Sequence, residues 1–187
     1  MRYDIILHDD IIAITNRQID ICGGSLMYIE NKYWNNYIGD TDDSLNLIAF
    51  LEDQSSDEIE FSDILQALGL NRQDGDFRRT TSPLGFTNSM GIYLDFTFAI
   101  DILTDLAAIL LECKVNGSVD LHDLEPYDTD SRKINIIATP DDYELLNKAL
   151  SDFSKNPLEY DLSELVPEED MREMAEICEN LRQELLS

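Results

Sequence analysis

Two aspartates followed by a Glu-x-Lys tripeptide come closest to a catalytic site in residue type and spacing. Asp101 and Asp105 precede Glu112 and Lys114. In metal-dependent nucleases, carboxylates of this kind hold a divalent cation and a lysine steadies the attacking water. That chemistry requires Glu112 and Lys114 on one face of a strand. The apolar pattern of residues 99–114 instead predicts a helix, in which positions two apart diverge by about 200°. A nuclease using Glu112 and Lys114 is therefore kept only as an alternative.

The stretch DTDDSLNLIAFLED, residues 40–53, is acidic enough to be considered as a calcium loop. An EF-hand loop needs oxygen ligands at alternate positions, glycine at the sixth position and glutamate at the twelfth. Counting from Asp40, the sixth residue is Leu45 and the twelfth is Leu51. We therefore predict no calcium site in this stretch.

The histidines and cysteines give no stronger candidate. His122 lies in the acidic sequence DLHDLEPYDTD, but a metal site would need a second cluster of ligands, and His8 has only two aspartates beside it. We interpret His122 as a surface histidine that titrates among carboxylates. A nucleophilic Cys22 would need a positioned histidine, and Arg17 is the only base near it. The sequence thus predicts no catalytic residue, no metal, no cofactor and no enzyme.

The strongest feature of the sequence is its charge. Among 187 residues, 39 are Asp or Glu and 13 are Lys or Arg, which gives a net charge of −26. This balance argues strongly against a nucleic-acid-binding protein, because such proteins neutralise phosphates with Lys and Arg. The acids are concentrated at residues 40–60, 120–130 and 161–170, and none of these three clusters contains a Lys or Arg. We interpret the third cluster as a solvated face, whereas the first two are denser than helix capping requires.

We predict that the first two clusters bind a basic protein partner, since clustered carboxylates steer a basic protein and set interface specificity. The predicted partner-binding residues are Asp40, Asp42, Asp43, Glu52, Asp53, Asp57, Glu58, Glu60, Asp120, Asp123, Glu125, Asp128 and Asp130. Tyr33, Trp34, Tyr37 and Tyr127 are nearby aromatic residues of the types that anchor interfaces.

Cysteine usage and hydropathy predict a cytoplasmic protein without a membrane segment. The three cysteines are far apart and odd in number, which does not fit a disulfide framework. The longest purely apolar run, residues 106–111, is far shorter than the roughly 20 residues that span a bilayer. The first ten residues contain three aspartates and no signal-peptide cleavage site.

The pattern of apolar residues predicts a single compact α+β domain, residues 1–187. It divides into a strand-rich part (1–39), a mixed part (40–139) and a helical part (140–187). In the first part we expect strands at 3–7 and 11–14, and an antiparallel hairpin of 25–29 and 33–38.

Several packed helices are expected after the hairpin. The first would begin at Asp43 or Ser44 and the second at Ser62; a long loop at 71–90 and a strand at 91–98 would precede the helix at 99–114. In that helix, Asp101, Asp105 and Glu112 would form a narrow stripe facing water. A strand at 133–139 and helices from about 140 and 167 complete the expectation.

The acid clusters DTDD…LEDQSSDEIE and HDLEPYDTD, in a small α+β domain without catalytic residues, resemble the immunity proteins of bacterial toxin systems. The resemblance is greatest to those of contact-dependent growth inhibition. It implies a protein that binds its cognate toxin, commonly a basic nuclease domain, and blocks the active site or substrate cleft. A nucleic-acid mimic that blocks a DNA-binding protein would carry similar charge and is the other alternative.

Overall fold

A computed structural model of the protein describes residues 27–30, 32–125 and 130–187. The expected strands at 3–7 and 11–14 lie outside these residues, as do His8 and Cys22. No helix in the described part of the chain is long and apolar enough to cross a membrane.

Helix α3 (Ala99–Asn116) is the centre of the structure. Every residue from Ala99 to Cys113 is buried, because other elements cover the helix all round. Helices α1 (Asp42–Glu52), α5 (Pro140–Lys155) and α6 (Glu168–Leu185) pack against it. Both α5 and α6 present a regular apolar face, which is why the sequence predicted them closely.

Two small sheets flank the helices. In the first, β5 (Lys133–Ile137) lies between β1 (Glu58–Glu60), to which it is parallel, and β4 (Val119–Asp120), to which it is antiparallel. The second sheet is a hairpin of β2 (Leu84–Thr87) and β3 (Tyr93–Phe96). The predicted loop at 71–90 is therefore wrong in its last part, where β2 forms and buries Leu84 and Phe86 against the core.

The remaining helices are short. They are α2 (Phe61–Leu68), α4 (Leu121–Leu124) and three 3₁₀-helices, Leu70–Arg72, Pro157–Glu159 and Asp161–Glu164. Two predicted helix starts are corrected. Thr41 caps α1 by accepting from the Ser44 N–H, and α2 begins at Phe61 without a side-chain cap. The α+β class is confirmed.

The predicted hairpin of 25–29 and 33–38 is wrong in its described part. Residues 27–30 and 32–41, here called the turn segment, form consecutive turns joined by isolated bridges between Glu30 and Trp34 and between Trp34 and Ile38. Ile29, Trp34 and Ile38 are all buried. Tyr33 and Trp34 are both buried although they are adjacent, which does not fit the alternation of side chains along a strand.

Candidate partner interface

The three acids of the predicted wet stripe on α3 are in fact buried, so that prediction is wrong. Asp105 accepts a hydrogen bond from the Gly39 N–H at 2.9 Å, and Glu112 accepts one from the Ile29 N–H at 3.1 Å. A backbone N–H shielded from water requires an acceptor, and among the described residues the turn segment pairs with no strand that could supply one. Carboxylates of α3 therefore hold the turn segment against the core.

Asp43, one of the predicted partner-binding residues, has a similar internal role. Its carboxylate accepts hydrogen bonds from the N–H groups of Thr97 and Phe98 at 2.9–3.0 Å, at the start of α3. Burial raises the pKa of Asp43, although the two N–H donors oppose the shift. Asp43 is only 5% exposed, so the structure places it in the interior and not on a surface open to a partner.

Trp34 fixes the conformation of the turn segment. Its ring is fully buried, and its Nε1–H donates to the carbonyl of Leu124 at 3.1 Å. Gly39 has a φ of +79°, and a Cβ at this position would collide with the Trp34 ring. Tyr33 is also buried, so neither it nor Trp34 is an exposed anchor. Tyr127 lies outside the described residues.

Acids of both predicted clusters meet at one depression of about 420 Å³ beside the turn segment. We call it the Asp40 depression. Its described lining has five carboxylates and no Lys or Arg, and Leu45 and Leu124 contribute apolar surface. The acids are Glu30, Asp40, Asp42, Asp123 and Glu125. The contact between α1 and α4 brings them together, since these short elements carry the two clusters.

Helix α1 divides the first cluster into two groups. Asp40 and Asp42 lie at its beginning and Glu52 at its end, about 15 Å away at 1.5 Å per residue. Just beyond α1, Asp53 accepts hydrogen bonds from the Ser89 N–H at 2.9 and 3.1 Å. On β1, the exposed Glu58 and Glu60 stand on either side of the buried Ile59.

Arg132 lies at the end of the sheet where β5 begins, and it forms hydrogen bonds with Asp57, Asp120 and the backbone of Glu52. Its Nε donates to Asp57 Oδ1 at 3.0 Å, and Nη1 donates to the Glu52 carbonyl at 2.7 Å. Its backbone N–H donates to Asp120 Oδ1 at 3.1 Å. Burial raises the pKa of Glu52, and the charge of Asp130 adds to this effect while Arg132 opposes it. The charge of this second group is thus partly balanced within the chain.

Lys133 and His122 lie near Asp123 and partly oppose the other effects on its pKa. Burial and the neighbouring Asp120 raise the pKa of Asp123, while His122 and Lys133 lower it. Asp128, the remaining predicted residue, lies outside the described part of the chain. The structure therefore brings Asp40, Asp42, Asp123 and Glu125 together, a grouping that the sequence did not reveal because the two clusters are some 80 residues apart.

Glu112 and Lys114 do not lie on one face of a strand, as the metal-dependent nuclease arrangement would require. Glu112 binds the turn segment and Asn116, while Lys114 Nζ donates to the carbonyls of Leu185 and Ser187 near the end of α6. Among the described residues, no group of three or more His, Cys, Asp or Glu side chains is arranged to hold a metal ion.

The comparisons with known proteins gave one result. The family described as Immunity protein 68 matches residues 28–185. Neither the search of curated proteins nor the search of solved structures found a match. The matched region contains the turn segment from residue 28 onward, both acid clusters and helices α1 to α6 of the described part of the chain. Because the match covers most of the sequence, the chain belongs to the Immunity protein 68 family and is an immunity protein of a toxin system.

Proposed function

We propose that this immunity protein neutralises its cognate toxin by binding a basic surface of the toxin at the Asp40 depression. The chain acts as a stoichiometric inhibitor in the cytoplasm and performs no catalysis. The observation that carries the proposal is the meeting of four carboxylates from two distant acid clusters, together with Glu30, at one depression whose described lining has no Lys or Arg.

The charge of the depression favours a basic partner. Carboxylates grouped on one surface raise the local potential, attract a basic protein and increase its association rate. Ion pairs within the chain partly compensate the acids around Arg132, and Lys133 and His122 partly compensate Asp123, but the described lining of the Asp40 depression contains no Lys or Arg. Lys and Arg residues of a partner could therefore add favourable charge interactions there.

The apolar surface of the depression supports the same assignment. Leu45 is 47% exposed, although it is an aliphatic residue on a helix whose other leucines are buried. Interfaces commonly combine an apolar centre with a charged rim, because burial of apolar surface supplies affinity and charges supply specificity. The exposed Leu45 would form the centre, since Leu124 is only 4% exposed, and the five acids would surround it.

The toxin we propose is a nuclease domain of a contact-dependent growth inhibition system. A nuclease binds phosphates with a basic cleft, and the carboxylates of the Asp40 depression would occupy that cleft in place of the substrate. Asp57, Glu58, Glu60, Asp120 and Asp130 would extend the contact to the end of the sheet. Asp43, being buried, would support the surface from within.

Co-expression with a toxin whose gene lies directly upstream of the gene for this chain tests this function. The surface triple variant, Asp40→Asn with Asp42→Asn and Asp123→Asn, removes three charges from the depression. The control triple variant, Asp63→Asn with Asp74→Asn and Asp141→Asn, removes three charges from exposed positions outside it. We expect the control variant to protect cells as the wild type does and the surface variant to protect them less.

Equal protection by both triple variants would contradict the assignment of the depression. Failure of the wild-type chain to protect against that toxin would contradict the choice of partner. Nucleic-acid cleavage by the purified toxin, suppressed by an equimolar amount of this chain, is the expected result if the toxin is a nuclease.

A further inference from the structure

A second cavity lies on the other side of the turn segment. It has a volume of about 350 Å³ and shares Asn35, Asp40 and Thr41 with the Asp40 depression. Three apolar side chains, Leu162, Val166 and Met174, line the cavity. Tyr37 and Asp101 also line it.

Asp101 is unusual among the residues of this cavity. It is only 5% exposed, and its Oδ1 is buried without a hydrogen-bond partner. A buried carboxylate oxygen normally has a donor, because leaving it unpaired costs free energy. Asp105 also has one unpartnered oxygen, Oδ2, but its Oδ1 accepts from Gly39, whereas Asp101 lines a cavity with its unpartnered carboxylate oxygen.

The charged groups that face Asp101 are all acidic and come from several elements. Asp43 approaches from α1, Asp105 from the next turn of α3, and Asp161 from a 3₁₀-helix, and each raises the pKa of Asp101. Burial is the largest cause, and together these effects raise the pKa of Asp101 to about 8. In the chain alone, Asp101 is therefore protonated at neutral pH, and a cation beside it would favour the ionised form.

The opening of the cavity is also acidic. Asp40 lies there, and the Tyr37 hydroxyl is bound to Asp170 and Glu173 of α6 at 3.2 Å each. Apolar walls that end at a carboxylate suit a side chain with a methylene stem and a cationic head. Lys and Arg have this form, and Arg also carries five donors that can satisfy an acceptor.

We propose that this cavity receives one Lys or Arg side chain of the cognate toxin, with the Asp101 carboxylate as its counterion. The identity of the partner rests on the proposed function; the chemistry of the cavity does not. As the cationic head enters, the Asp101 carboxyl releases its proton to solvent. Its position in the first turn of α3 then favours the negative charge.

The test is calorimetric titration of the wild-type chain with the purified toxin domain at pH 6 and pH 7, in buffers of different ionisation enthalpy. We expect release of up to one proton and an affinity that rises by up to about tenfold over this pH unit. Asp101→Asn should bind at least about tenfold more weakly and lose that part of the pH dependence. Asp74→Asn, which removes an exposed charge elsewhere, should behave as the wild type does.

Equal affinity and equal proton release in Asp101→Asn and the wild type would overturn the inference while leaving the proposed function in place. A toxin domain that does not bind the wild-type chain would overturn the proposed function and, with it, the toxin as the source of the cation.

A second measurement tests the cavity without the toxin. n-Butylguanidinium is added to the ¹³C-labelled chain, and the carboxyl carbon of Asp101 is followed by NMR through a pH titration. We expect the pKa of Asp101 to fall in the presence of the probe, and no such fall with guanidinium-free buffer of equal ionic strength. A pKa that the probe leaves unchanged would overturn the assignment of the cavity as a cation site.

Discussion

The carboxylate of Asp105, in the middle of the central helix, accepts a hydrogen bond of 2.9 Å from the backbone N–H of Gly39. The two residues are 66 positions apart in the sequence, and the contact joins the core to the turn that carries Asp40. A buried acid of the core therefore holds in place the turn that carries an acid assigned to partner binding. One helix supplies the buried support, and the turn segment supplies the exposed surface.

The first prediction concerns Gly39 and the shape of the turn segment. Gly39 and Gly75 both have positive φ, but only at Gly39 would a Cβ collide with another side chain, the Trp34 ring. An L-residue in this conformation costs about 1–2 kcal/mol, and a core clash adds about 1–3 kcal/mol. In urea denaturation, Gly39→Ala should therefore reduce the free energy of unfolding clearly more than Gly75→Ala does. Equal losses would mean that the Trp34 contact does not constrain the turn.

A second prediction separates two neighbouring aspartates of the first acid cluster. Asp43 is buried and accepts from two backbone N–H groups, whereas Asp42 is exposed beside the depression. Asp43→Ala should reduce the free energy of unfolding by about 1–3 kcal/mol, because two backbone donors at the start of α3 lose their buried acceptor. Asp42→Ala should cost less than about 1 kcal/mol, the scale of a helix-dipole interaction. Chemical denaturation measures both, and a larger loss for Asp42→Ala would refute the assigned roles.

The third prediction is a stability that falls as the pH rises. Burial raises the pKa of Asp101 to about 8 and that of Asp105 to about 7, above the value near 3.9 expected in the unfolded chain. Between about pH 4 and 8, the folded state thus binds more protons than the unfolded state. Each extra proton lowers the free energy of unfolding by up to about 1.4 kcal/mol per pH unit as the pH increases.

Replacing Asp101 with asparagine removes one of these protons. From pH 5 to pH 8, Asp101→Asn should therefore lose less stability than the wild type, as measured by urea denaturation at each pH. Asp74→Asn removes the same formal charge from an exposed loop and should keep the wild-type slope. If Asp101→Asn shows the same slope as the wild type, the Asp101 carboxyl is not protonated in the folded chain.

The fourth prediction concerns the rate at which the toxin domain binds. The Debye length falls about threefold between 0.05 M and 0.5 M salt, so electrostatic steering should largely disappear over this range. Stopped-flow measurements should show a wild-type association rate that decreases steeply with salt, and a surface triple variant whose rate decreases less. A wild-type rate that is the same at both salt concentrations would exclude steering by the acid surface.

Much of the fold could be predicted because local patterns specify it. The apolar faces of α5 and α6 depend on residues close in sequence. Leu84 and Phe86 of β2 were missed because the strand has only four residues and includes Gly85. The turn segment was missed because its described backbone hydrogen bonds are made within local turns or to side chains of α3, and not to a partner strand.

The candidate site was only partly predictable for the same reason. Charge and clustering identified the acids, but not which of them would be buried. As acidic residues on one side of a helix, Asp101 and Asp105 were expected to face water. They are buried because segments from elsewhere in the chain cover α3. The meeting of Asp40 with Asp123 likewise depends on the packing of α1 against α4, which no local pattern encodes.

The most direct test of the partner interface is the dissociation constant of the toxin domain for the two triple variants, measured by calorimetry at 0.15 M salt. Both variants lose three charges, so their difference reports position and not net charge. We predict that Asp40→Asn/Asp42→Asn/Asp123→Asn binds at least about tenfold more weakly than the wild type, while Asp63→Asn/Asp74→Asn/Asp141→Asn stays within about twofold of it. Equal dissociation constants for the two variants would contradict the claim that the toxin binds at the Asp40 depression.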